Sequence, residues 1–68
     1  MMQTKTVTVF DHAATGAECR SRRIKSGKSL RSVAKMLKIS APFLSDLETG
    51  RRNWTEKRLA EFNRATRA

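Results

Sequence analysis

The stretch from Ser29 to Gly50, SLRSVAKMLKISAPFLSDLETG, constrains the fold more than any other part of this chain. Leu30, Val33, Ala34 and Leu37 fall at i, i+3, i+4 and i+7, which puts four apolar residues on one helical face. That spacing predicts a helix over about 30–37. Ser29 stands where an N-cap belongs, and its hydroxyl can accept from an orphan backbone N–H. Ile39 is apolar within the connection and is expected to point into the core. Ser40 or Ala41 starts a second helix over about 41–49, with Pro42 in its first turn, where a missing N–H costs nothing. Phe43, Leu44 and Leu47 form its apolar face. Gly50 ends it, because glycine enters the left-handed region without a Cβ clash. Two helices of this length with so short a link have the dimensions of a helix-turn-helix.

Size and charge narrow the possibilities. A chain of 68 residues makes one small domain, which buries only about 60% of its unfolded surface. It must be economical, or borrow core from a partner subunit. Fifteen Lys and Arg against six Asp and Glu give a net charge of +9, which points to a polyanionic partner. Ten of those basic residues lie between residues 12 and 53, with three acidic ones. The lone Cys19 excludes an internal disulfide and fits a reducing cytoplasm. No apolar run has the length of a signal segment or membrane span, so no membrane partner is expected. One His and one Cys make no metal cluster, and no nucleophile–base pair or phosphate-binding glycine loop occurs. No metal, no cofactor and no enzymatic activity are expected.

Residues 1–11 read as an arm. Val7 and Val9 alternate with Thr6 and Thr8, which is strand periodicity. A lone strand leaves its backbone groups unpaired. Two readings stay open: a disordered arm, or a strand that pairs with its copy across a two-fold axis, with Val7, Val9 and Phe10 in the dimer interface. Residues 12–68 then form the folded domain. Thr15 and Glu18 have capping-box spacing, predicting a first helix from about Gly16 to Ser26 that stops at Gly27. Cys19 and Ile24 are expected to face inward, Cys19 as a small buried hydrophobe, and Met36 to fill a gap in the core. Arg20, Arg22, Arg23 and Lys25 crowd the first helix. Thr55 caps a last helix to about Thr66, closed onto the core by Leu59, Phe62 and Ala65.

Residues 15–65 resemble the DNA-binding unit of the Cro/C1 (XRE) family, which includes the lambdoid phage repressors. The resemblance is carried by Val33-Ala34 before the turn, Ile39-Ser40 after it, Phe43-Leu44-Ser45-Asp46-Leu47-Glu48, Gly50-Arg51-Arg52-Asn53, and Arg20 to Ile24 upstream. One departure is Lys38, where the family usually has Gly in the turn. A left-handed Lys costs on the order of 1 kcal/mol. The resemblance implies an all-α, compact four-helix, lambda-repressor-like fold. It implies that Arg23 and Glu48 form a partly buried ion pair between the first and third helices. Ser29 and Arg31, at the start of the second helix, would meet a DNA phosphate. The third helix would be the recognition helix, with Ala41, Pro42, Ser45 and Asp46 toward base edges and Ser40 at a phosphate. Arg51, Arg52 and Asn53 would run along the sugar-phosphate backbone.

This base-facing set lacks the Arg, Gln or Asn that makes two-pronged base contacts. Specificity would then lean on DNA shape, bridging waters or the loop after Gly50. For Asp46, contact with a cytosine amino group competes with a solvated carboxylate or a neighbour for Arg51. For Trp54, where the family commonly has Pro, a core cap competes with a DNA or dimer contact. The family often continues into a fifth helix that supports dimerisation, which makes the arm the candidate for that task here.

The leading expectation is a sequence-specific transcriptional regulator in the cytoplasm. It would bind double-stranded DNA as a homodimer on a two-fold operator, repressing its own or a neighbouring operon in a phage or mobile element. The alternative is an antitoxin or interaction module whose arm binds a toxin or other protein, with DNA contact secondary. Basic RNA binding is opposed by the lack of exposed aromatic residues for base stacking. If the helix over 30–37 is real, Leu37→Ala should cost roughly 2–5 kcal/mol. Chemical denaturation checks this, and an undiminished midpoint would count against that helix.

Overall fold

The computed structural model describes residues 11–67. Val7, Val9 and Phe10, and with them the expected dimer strand, lie outside the described residues. Among the described residues there are four helices and no strand: α1 (His12–Lys25), α2 (Leu30–Leu37), α3 (Ala41–Thr49) and α4 (Glu56–Ala65). α3 packs against both α1 and α2, and α4 closes over α2. Their shared core holds Cys19, Val33, Ala34, Leu37, Leu44, Leu47, Trp54 and Phe62. Leu30, Ile39, Phe43, Leu59 and Ala65 pack partly buried around it. Trp54 meets Phe62 edge-on, with ring centroids 5.6 Å apart.

Every helix starts on a side-chain cap. Ser29 accepts from Ser32 N–H, Ser40 from Phe43 N–H and Thr55 from Arg58 N–H. α1 begins earlier than its apolar content suggests. Asp11 is its cap, accepting from Ala14 N–H at 3.1 Å. The capping box expected at Thr15 and Glu18 does not form, because Thr15 N–H is already in the helix, donating to the Asp11 carbonyl at 2.8 Å.

Two other expectations are corrected. Ile24 does not face inward; it is 53% exposed. The inward stripe of α1 runs through Gly16, Cys19 and Arg23, and Arg23 takes the slot next to Ile24. Met36 is no core residue but 55% exposed. It lies about 100° around α2 from Leu37, outside the stripe that fills the core.

The turn between α2 and α3 closes through Lys38. Its φ of 61° and ψ of 40° are left-handed. Ile39 N–H reaches back to the Ala34 carbonyl, and Lys38 N–H to the Lys35 carbonyl. This is the Schellman ending. Gly50 ends α3 in the same way at φ 84°, with Arg51 N–H on the Asp46 carbonyl. A lysine therefore occupies the conformation that glycine adopts freely, and the turn keeps its ordinary path.

Gly16 was expected to start α1, yet it sits inside the helix and is buried. A Cβ built there would lie 2.3 Å from the Leu47 carbonyl oxygen and 2.6 Å from that of Glu48. The α1–α3 crossing is thus set by the absence of a side chain. Cys19 lies one turn on, 1% exposed, and burial pushes its thiol up to about 11. Gly16→Ala tests the crossing. A gain in helix propensity of about 1 kcal/mol is opposed by overpacking of about 1–3 kcal/mol. Because the clash is with backbone, a net loss of stability is expected, read as a lower urea midpoint. An unchanged or higher midpoint would mean the helices can separate freely.

Candidate nucleic-acid interface

The geometry of the exposed surface begins with a buried pair. Glu48, near the end of α3, is only 5% exposed. Arg23 of α1 meets it with two parallel contacts, Nε to Oε2 at 2.7 Å and Nη2 to Oε1 at 3.1 Å. The third prong, Nη1, donates to the Lys28 carbonyl at 3.0 Å. One guanidinium therefore ties α1, the α1–α2 link and α3 together. Arg22 adds a contact from α1 to Asn63 of α4.

On this frame Pro42 and Thr49 of α3 are exposed and Ser45 and Asp46 are partly so. Ala41 is partly buried and packs against the core. Ser29 and Ser40 cap their helices, and Arg31 lies exposed on α2.

After Gly50 the chain doubles back. Arg51 and Arg52 N–H both point at the Asp46 carbonyl, at 2.8 and 3.3 Å. Arg51, Arg52 and Asn53 stay exposed. The Asp46 carboxylate pairs with the Arg52 side chain, Oδ2 lying 3.5 Å from Nε, while Arg51 meets Asp46 through its backbone N–H. The Arg52 guanidinium also stacks 4.3 Å above the Phe43 ring. Arg58 approaches the same ring at 5.7 Å and pairs with Glu61 at 3.1 Å.

Trp54 anchors the far end of this loop. It is buried, and its indole N–H donates to the Leu47 carbonyl at 3.0 Å. Of the two roles open to it, the core cap is the one the geometry supports. Its backbone N–H donates to His12 Nδ1 at 2.9 Å. That brace escaped the sequence reading, since no local spacing joins residues so far apart. The Asp46–Arg52–Phe43 group escaped it because the chain reverses after Gly50, and helical spacing does not say which loop side chain returns to α3. Among the described residues no group of His, Cys, Asp and Glu could hold a metal ion, and no helix is long and apolar enough to cross a membrane.

Four short helices, a tightly turned pair at their centre and an exposed basic loop define a DNA-binding helix-turn-helix protein. A helix-turn-helix family model matches residues 20–67. The chain belongs to that family, in its Cro/C1-type (XRE) branch, whose members are DNA-binding regulators of transcription. Among solved structures, the crystal structure of the clp gene regulator ClgR from C. glutamicum is similar to it, with a TM-score of 0.81 and 34% identity. That match covers 87% of this chain and 77% of the other. Comparison with curated protein sequences gives no significant match.

The buried pair makes a stability prediction. Arg23→Met leaves the Glu48 carboxylate buried without a partner and should cost about 3–5 kcal/mol. Adding Glu48→Leu should recover much of that loss, so the two substitutions should be strongly non-additive in denaturation. Simple additivity would show that the two side chains do not act as a pair.

Proposed function

We propose that this protein is a sequence-specific repressor that binds a two-fold operator as a homodimer. The DNA it controls would be its own or a neighbouring operon, of the kind carried by phages and mobile elements. One observation carries the reading: α3 is locked to α1 by the buried Arg23–Glu48 pair, while its outer side and the basic loop after it stay exposed. A rigid helix with a solvated, basic flank suits insertion into a major groove. The net charge of +9 supplies the sequence-independent attraction to phosphate.

In this reading Ser29, Arg31, Ser40, Arg51 and Asn53 meet the phosphate backbone and set the register. Pro42 and Ser45 face bases, with apolar contact from Pro42 suited to a thymine methyl. Two half-sites lie about one helical turn apart, roughly 34 Å. Occupying that length of a promoter blocks transcription without any further domain. The similar ClgR structure is of a gene regulator, which supports the regulatory part of this reading.

The test is fluorescence anisotropy on duplexes from the gene's own upstream region and a scrambled control, over a salt series. A preference of about a thousandfold with a steep salt dependence is expected. Equal, weak binding to both duplexes would defeat autoregulation. In the same assay Arg51→Ala should weaken both duplexes alike and reduce the salt slope by about one. A loss on the operator alone would mean that Arg51 reads a base.

A further inference from the structure

We propose that Arg52 reads a guanine in each half-site, and that Asp46 and Phe43 are the residues that position it. This inference rests on the reading of the protein as a sequence-specific DNA-binding regulator. It replaces the phosphate contact that the family resemblance implies for Arg52.

The outer side of α3 offers Pro42, Ser45, Asp46 and Thr49. None of them carries two donors side by side, and the Thr49 hydroxyl already donates to the Asp46 carbonyl at 3.2 Å. Guanine presents two acceptors, O6 and N7, to the major groove, and a planar guanidinium can meet both at once. Arg52 brings such a group to the helix, and three restraints hold it there. The left-handed Gly50 turns the chain back so that Arg52 N–H points at the Asp46 carbonyl at 3.3 Å. The Asp46 carboxylate sits 3.5 Å from Nε. Arg52 Cζ lies over the Phe43 ring, 4.3 Å from its centroid. Among the described residues, Nη1 and Nη2 have no hydrogen-bond partner, so that edge is left for a ligand.

A phosphate counter-ion needs none of this. Arg51, next in the chain and exposed, carries a side chain with no partner among the described residues, and a loose cation suffices for a phosphate. Pairing Arg52 with a carboxylate offsets its charge and makes it a poorer counter-ion, while biasing its side chain toward α3. The pairing also accounts for Asp46. A bare carboxylate in a groove walled by phosphates repels the DNA; beside Arg52 it forms a nearly neutral pair. Asp46 is therefore a positioning residue and not a base reader.

The operator is first selected from a randomised duplex pool by the parent protein. The parent, Arg52→Ala and Asp46→Asn are then titrated against that operator, every single-base variant of one half-site, and a scrambled duplex. Arg52→Ala should lower the operator-to-scrambled ratio by about 10- to 100-fold and lose discrimination at a single G·C pair. Replacing that guanine with 7-deazaguanine, which lacks N7, should weaken the parent and leave Arg52→Ala unaffected. Asp46→Asn should bind the scrambled duplex more tightly and discriminate less at the same base pair. An Arg52→Ala protein that weakens all duplexes alike, with its base preferences intact, overturns the proposal while the regulator reading stands. Relaxation by Asp46→Asn at a different base pair overturns the positioning role. A parent that selects no preferred duplex removes the regulator reading itself, and the proposal with it.

Discussion

The contact between Arg23 and Glu48 constrains how α1 meets α3. Each charge would be costly to bury alone, and their two-pronged geometry offsets that cost only when α1 and α3 are correctly placed. The third prong, on the Lys28 carbonyl, extends the constraint to the entry of α2. One side chain thereby sets three segments of a domain too small to rely on its apolar core alone. Gly16 completes the arrangement: without a side chain there, the backbone of α1 can pass against the Leu47 and Glu48 carbonyls. Specific polar contact and close backbone approach reinforce each other at one crossing, and that crossing aims the outer side of α3.

The helix endings serve the same purpose. Lys38 and Gly50 both adopt left-handed conformations, and both endings return a backbone N–H to a carbonyl of the last turn. The first ending turns the chain from α2 into α3. The second folds the basic loop back along α3 at Asp46. Trp54, held by the Leu47 carbonyl and by His12, then fixes the end of that loop against the core. A segment that would otherwise be a flexible string of charges is pinned at both ends. Its side chains remain in solvent while its backbone path is determined, which suits contact with a regular polyanion.

The electrostatics of this surface are uneven. Among the described residues the Arg51 side chain has no partner, Arg58 pairs with Glu61, and Arg52 lies beside a carboxylate and over an aromatic ring. Net charge accounts for attraction to DNA in general. Discrimination among sequences needs oriented donors, and orientation comes from the partners around each charge rather than from its sign.

Much of the domain was legible in the sequence because its signals are local. The four-residue apolar stripe of α2, the serine caps at positions 29 and 40, and the glycine after α3 each depend on neighbours within a turn or two, where helix geometry fixes who meets whom. The Arg23–Glu48 pair was legible only through family resemblance, since nothing local joins those positions. The start of α1 was misplaced because Thr15 and Glu18 have capping-box spacing, whereas the cap in use is Asp11; the burial of Gly16 against α3 supplies a reason for glycine that no local pattern carries. Ile24 and Met36 looked like core by composition, but each lies one residue off the inward stripe, and only the packing of neighbouring helices says which residue takes the slot. The sequence by itself determined α2, α3 and α4 with their caps, the turn and the excess of positive charge, all of which follow from short-range backbone chemistry and composition. The tertiary structure alone decided the crossing at Gly16, the brace from His12 to Trp54 and the seat of Arg52 against Asp46 and Phe43, because these contacts depend on how the chain folds back on itself in three dimensions.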